Sequence, residues 1–147
     1  MQTFNIYLAG GMTGLSYEEY TSWRRQVKKE LYRIRSYTSC EYINKLFVID
    51  PSEYFNFENP LHTSEREVME FDLYKVRNSN LIIVNFNSPS SLGTMAELAI
   101  AYENRIPVIG LNKGAKNILH PWQIEMCSRI FTDMYELTAY VNDYYLS

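Results

Sequence analysis

Three side chains in this sequence have the type and setting for bond chemistry: Glu97, Asp72 and Tyr7. Glu97 is the only charged residue between Arg77 and Glu103, set among Met95, Ala96, Leu98, Ala99, Ile100 and Ala101. A carboxylate in that company loses hydration and must find hydrogen-bond partners or change protonation. The alternative is a solvent-facing glutamate on a helix otherwise built of small residues. At 100° per residue, Asp72 falls between Val68 and Val76 with Met69 close by, while Arg66, Glu70 and Arg77 take the opposite face. An acid inside an apolar arc either has a task or bonds to loop backbone. Tyr7 puts a hydroxyl into the apolar run Phe4–Ala9, which leads directly into Gly10-Gly11-Met12-Thr13-Gly14. Glycines there allow a tight strand-to-helix turn or the close approach of a ligand to main-chain N–H groups. Carboxyl groups so placed are suited to acid–base or nucleophilic work. The glycine spacing is not the dinucleotide fingerprint G-x-G-x-x-G, which argues against an NAD-dependent oxidoreductase.

These residues need elements to carry them, and the segment 80–111 supplies the pattern. Leu81–Phe86 reads as a strand buried on both faces. The turn cluster Asn87–Ser91 follows, and Ser90 or Ser91 can cap a helix over Gly93–Asn104. Ile106–Leu111 is then a second buried strand, completing a right-handed βαβ unit with Glu97 early in its helix. Upstream, the capping box Ser16-x-x-Glu19 opens a helix over Tyr17–Arg35, whose core face is Tyr20, Trp23, Val27, Leu31 and Ile34. Arg24, Arg25, Lys28, Lys29, Arg33 and Arg35 read as its solvated basic side. Lys45–Ile49 forms a short strand, and the irregular segment Ser52–Thr63, with Tyr54, Phe55 and Phe57, suits a lid or the cover of a core edge. Ser64-x-x-Glu67 caps the helix that carries Asp72. After the βαβ unit come the loop Asn112–Leu119, a short helix Pro121–Met126, the apolar pair Ile130-Phe131 and a helix over Met134–Tyr145 capped by Asp133. The alternation predicts one α/β domain over residues 1–147, a doubly wound, mainly parallel, flavodoxin-like sheet with helices on both faces. Open sheets of this kind bind ligands at the carboxyl ends of their strands, where Tyr7 with the glycine turn, Asp72, the serine-rich loop and Glu97 converge.

Composition narrows the class. A charged fraction of 21% and a hydrophobic fraction of 46% over 147 residues describe an ordinary globular chain. A net charge of -3 argues against a nucleic-acid-binding surface. Cys40, Cys127, His62 and His120 make no metal-ligand spacing, so no metal is expected, and the cysteines read as reduced thiols of a cytoplasmic protein. No apolar run is long enough to span a bilayer, and no membrane partner is expected.

Three short pieces in order, Ile6-Tyr7-Leu8-Ala9-Gly10-Gly11, Phe71-Asp72-Leu73 and Ser91-Leu92-Gly93-Thr94-Met95-Ala96-Glu97-Leu98, resemble the nucleoside 2-deoxyribosyltransferase family and the related nucleoside 5′-monophosphate N-glycosidases. The resemblance runs from Ile6 to Leu111. It implies Glu97 as nucleophile, Tyr7 as the hydroxyl that orients it and Asp72 as the acid at the nucleobase. Gly10, Gly11, Ser91, Gly93 and Asn112 would contact substrate. It further implies a nucleoside or nucleotide and a free nucleobase as partners, no cofactor, and a homo-oligomer. Transferases of this group tend to carry an acid where this chain has Ser91, a hydroxyl more typical of the monophosphate hydrolases. Those hydrolases tend to carry an arginine in the glycine turn, and Gly10–Gly14 has none. The Gly93-Thr94 pair is similar to the transferases, so the resemblance favours transfer.

Overall fold

The computed structural model describes residues 2–37, 43–54 and 62–147. Five strands, β1 (Gln2–Gly10), β2 (Ile43–Ile49), β3 (Leu81–Asn85), β4 (Val108–Leu111) and β5 (Arg129–Phe131), form one sheet in the order β2-β1-β3-β4-β5. Every pairing is parallel. This is the flavodoxin-like order, with β1 and β3 meeting at the topological switch point. The apolar pair Ile130-Phe131 forms, together with Arg129, the edge strand β5 and pairs with β4.

Among the described residues, five α-helices accompany the strands: α1 (Tyr17–Tyr37), α2 (Glu65–Arg77), α3 (Leu92–Glu103), α4 (Pro121–Met126) and α5 (Met134–Tyr145). α1 and α5 cover one face of the sheet, where Ile6, Leu8, Val27, Leu31, Ile109, Leu137 and Val141 share a core. α2 and α3 cover the other, where Tyr7, Ala9, Val76, Ile82, Val84, Leu98 and Ala101 pack together. The alternation along β1 therefore aims Tyr7 at the α2–α3 side. No helix among the described residues is long and apolar enough to cross a membrane, and no group of three or more potential metal ligands occurs among them.

The helix starts follow local chemistry. Ser16 and Glu19 make both bonds of a capping box, each at 3.2 Å. Ser64 caps α2 through the Glu67 N–H, but the Glu67 carboxylate turns back to the N–H and hydroxyl of Thr63 instead of completing a box. Ser91, rather than Ser90, caps α3. Much of the aromatic segment expected as a lid or the cover of a core edge, including Phe55 and Phe57, lies outside the described residues, as does Cys40.

The basic side expected of α1 needs one correction. Arg25, Lys28 and Arg33 do reach surface acids, Glu18, Glu53 and Glu30. Arg24, however, is fully buried. It follows Tyr20 by four residues and precedes Val27 by three, so it stands on the apolar stripe itself.

Candidate active site

The carboxyl edge of the sheet gathers the three residues singled out above. Tyr7 lies where β1 makes its last pairing with β2, opposite Ile49, and is 1% exposed. Glu97 comes from the second turn of α3, which the Ser91 hydroxyl anchors by accepting from the Thr94 N–H at 3.3 Å and the Thr94 hydroxyl at 3.0 Å. The Tyr7 hydroxyl lies near enough to the Glu97 carboxyl for each to bias the other's protonation. Glu97 keeps part of its surface exposed, yet its Oε2 is buried and has no hydrogen-bond partner among the described residues. One carboxyl oxygen of Glu97 is therefore turned from solvent with no partner among the described residues.

Burial pushes the Glu97 carboxyl up to about 8; the Tyr7 hydroxyl and the Arg24 charge oppose the rise, and the Asp72 charge adds to it. Asp72, half-buried on α2, is pushed up to about 6, again chiefly by burial, with His62 and Arg24 pulling it down. Burial, then the charges of Glu97 and Asp72, hold the Tyr7 phenol well above the ordinary range, so it stays a donor. Two carboxyl groups from two helices thus share one field, with their proton affinities separated. Of the two, Asp72 is the first to ionise as pH rises in the empty site.

Beside Asp72, the ring of Phe71 meets Tyr54 at 5.2 Å and His62 at 4.8 Å between centroids. His62 also leaves Nε2 buried without a partner among the described residues. Sequence reasoning gave His62 no part in the site. It stands ten residues before Asp72, across a helix start, and no periodicity relates the two.

The glycine turn and the serine-rich loop press together. A Cβ on Gly11 would lie 2.6 Å from Ser88 Cβ and 3.5 Å from Ser91 Cβ. Gly10 is required by packing: a Cβ there would lie 2.9 Å from the Trp23 ring. Neither has the positive φ that would demand glycine for conformation. Gly93 is different, since a Cβ there would meet nothing within 4 Å and would project into open space. Asn112 is buried and holds its own loop. Its amide donates to the Asn117 carbonyl at 2.9 Å and accepts from the Asn117 N–H at 3.2 Å. Asn117 in turn donates to the Phe86 carbonyl at 2.7 Å, which ties that loop to the end of β3. A cleft of about 610 Å³ opens at the amino edge of β4 and β5, lined by Tyr102, Arg105, Pro107, Glu125 and Cys127, far from these groups.

No protein-family model and no curated protein matches the sequence. The fold does match solved structures. A conserved protein from Enterococcus faecalis superposes with a TM-score of 0.69 at 17% identity, covering 97% of this chain and 99% of that one. A 2-deoxyribosyltransferase from Bacillus psychrosaccharolyticus gives 0.69 at 19% identity, covering 92% and 91%. A CMP N-glycosidase from Clostridium botulinum gives 0.60 at 14%, covering 95% and 98%. At such identities the likeness establishes a common fold over nearly the whole chain.

Proposed function

We propose that this chain is an enzyme that breaks and remakes the N-glycosidic bond of 2′-deoxynucleosides, with Glu97 as the nucleophile. The observation that carries the reading is the buried, unpartnered Oε2 of Glu97 held beside Tyr7 and Asp72 at the carboxyl edge of the sheet. Two of the structures with this fold are a 2-deoxyribosyltransferase and a CMP N-glycosidase, which supports the class of reaction.

The chemistry follows from the groups. A Glu97 carboxylate oxygen bonds to C1′ as the C1′–N bond breaks, and the bonding pair leaves on the base nitrogen. Asp72 hands its proton to the departing base. Positive charge builds on the sugar ring in the transition state, and the adjacent carboxylate stabilises it before closing the covalent bond. In the second step a ring nitrogen of another base attacks C1′, the C1′–O bond to Glu97 breaks, and Asp72 takes up the proton the new base sheds. Two inversions give net retention. Tyr7, beside the carboxylate, orients it by donating its hydroxyl proton as charge forms there, and Oε2 is free to meet the sugar.

A second reading, hydrolysis of a nucleoside 5′-monophosphate, is supported by Ser88 and Ser91 packing on Gly11 beside the start of α3, where an anion is stabilised. Against it, Arg24, although near the turn, lies beneath it and gives its donors to backbone carbonyls. We therefore favour transfer. Homo-oligomerisation is part of the proposal. It is supported by the large apolar side chains that α3 and α4 expose: Leu92 (86%), Tyr102 (61%) and Trp122 (71%).

The test is incubation with a 2′-deoxynucleoside and a different free base, followed by chromatography. A new deoxynucleoside is expected. Sugar phosphate released only from 5′-monophosphates would establish the hydrolase instead. Tight binding without cleavage of any nucleoside or nucleotide would reduce the protein to a binding module.

A further inference from the structure

His62 has no part in the mechanism above, yet it packs against the helix that carries Asp72. Its ring centroid lies 4.8 Å from that of Phe71, the residue before Asp72, and Tyr54 meets the same Phe71 ring at 5.2 Å. Tyr54 follows β2 and His62 precedes α2, so both come from the segment that leaves the sheet at its carboxyl edge. The His62 side chain is 15% exposed, and its two nitrogens have unlike surroundings. Nδ1 lies 3.9 Å from Oε2 of Glu67. Nε2 is buried and has no hydrogen-bond partner among the described residues.

Glu67 sets which nitrogen holds the proton. Having left the capping box of α2 unfinished, its Oε2 accepts from the Thr63 N–H at 3.1 Å and its Oε1 from the Thr63 hydroxyl at 2.7 Å. Thr63, by its hydroxyl and then its N–H, holds the Glu67 carboxyl below the ordinary range, so Glu67 is an anion and can only accept. An anion on the Nδ1 side favours the tautomer with the proton on Nδ1. Nε2 of the neutral ring is then a lone-pair acceptor. A buried acceptor without a donor is costly to maintain, and a hydrocarbon ring would pack on Phe71 without that cost.

We propose that His62 reads the nucleobase: Nε2 accepts from an exocyclic amino group, so the site takes adenine and cytosine in preference to their oxo counterparts, hypoxanthine and uracil. This rests on Asp72 serving the ring nitrogen of the departing base. In adenine the N6 amino group lies beside N7, and in cytosine the N4 amino group lies beside N3. An acceptor next to Asp72 therefore meets an amino group in either base. The oxo bases present a carbonyl oxygen there, whose lone pairs face those of Nε2. Phe71 and Tyr54 supply aromatic surface beside that edge.

The test compares each aminobase with its oxo counterpart in one protein, so a loss common to both cancels. The proteins are Glu97→Gln, which holds ligand without turnover, and Glu97→Gln combined with His62→Phe, which keeps a ring on Phe71 and removes Nε2. Calorimetry at about pH 8, where an ordinary imidazole is neutral, sets 2′-deoxyadenosine against 2′-deoxyinosine and 2′-deoxycytidine against 2′-deoxyuridine. The same pairs are run as 5′-monophosphates, so the ratio is read on whichever form binds. Glu97→Gln should hold the amino member of at least one pair about tenfold more tightly, and His62→Phe should bring that ratio close to one. His62→Gln, whose amide can turn to offer an acceptor or a donor, should level the ratio as well and serves where His62→Phe does not fold. The ¹⁵N spectrum of His62 should show the proton on Nδ1. A merely structural His62 would weaken both members alike and leave the ratio in place. That result, an oxo preference, a proton on Nε2 or no binding of any pair would overturn the proposal. Wild-type transfer with a ratio that His62→Phe does not move would keep the reaction and reject this role of His62. An amino preference lost in His62→Phe, in a chain without turnover, would keep the role and reject the reaction.

Discussion

Glu97→Gln should inactivate the protein and, at alkaline pH, stabilise it. The Glu97 carboxyl rises from an ordinary value of 4.5 to about 8 in the folded chain. Between those values the folded chain holds a proton that the unfolded chain has released, so native stability falls as pH rises through that window and levels off above it. Each pH unit inside the window costs ~1.4 kcal/mol, which makes the penalty at pH 8 exceed that at pH 5 by ~3 kcal/mol. Glutamine has nearly the same shape and carries no proton to lose, so it escapes this term. The assay is thermal unfolding of wild type and Glu97→Gln across pH 5 to 9. The advantage of the variant should grow by about 10 °C in Tm from the acid to the alkaline end for a domain of this size. Any fixed difference from burying an amide is the same at every pH and cancels. An advantage that stays flat with pH, or one that shrinks, would show that the carboxylate is hydrated and that the site has been misread.

The same shifts predict a bell-shaped kcat/KM profile. The productive form has Glu97 ionised and Asp72 protonated, the minor arrangement when these lie near 8 and 6, so the limbs break near 6 and 8 as properties of the pair and the maximum falls near pH 7. A sigmoid profile would contradict the pairing. Asp72→Asn should slow poorly activated leaving bases far more than good ones, read from kcat across a series of nucleosides, and equal slowing would count against the acid role. Tyr7→Phe should keep its circular dichroism spectrum and lose about 10- to 100-fold in kcat/KM, the worth of one hydrogen bond to a charged group. Gly11→Ala, which presses on Ser88, should cost about 1–3 kcal/mol in chemical denaturation. Gly93→Ala, with open space before it, should gain about 0.5–1 kcal/mol while losing activity, if that space is where the substrate lies.

Much of this architecture was legible because its signals are local. The apolar run Leu81–Val84 is wholly buried, as a central strand must be, and the serine and aspartate caps stand where their N–H partners require. Strand ends were less legible, since hydrogen bonding between distant segments decides them. β4 starts at Val108 because the Ile106 N–H is taken by the Ala101 carbonyl at the end of α3. Glu97 and Asp72 could be found because each breaks an apolar pattern. Arg24 breaks one as well, but among Arg25, Lys28 and Lys29 its charge looked like part of a solvated row. Its spacing from Tyr20 and Val27 was the available signal. Asn112 is engaged with Asn117, a partnership five residues apart that no pattern announces.

The central claim is that a sugar becomes bonded to Glu97. Acid quenching of the enzyme during turnover of a 2′-deoxynucleoside, followed by peptide mass spectrometry, tests it directly. The account predicts one deoxyribosyl unit on the peptide containing Glu97, absent in Glu97→Gln and removed by added free base. Sustained turnover with an unmodified Glu97 peptide, or with the sugar on another residue, would contradict it.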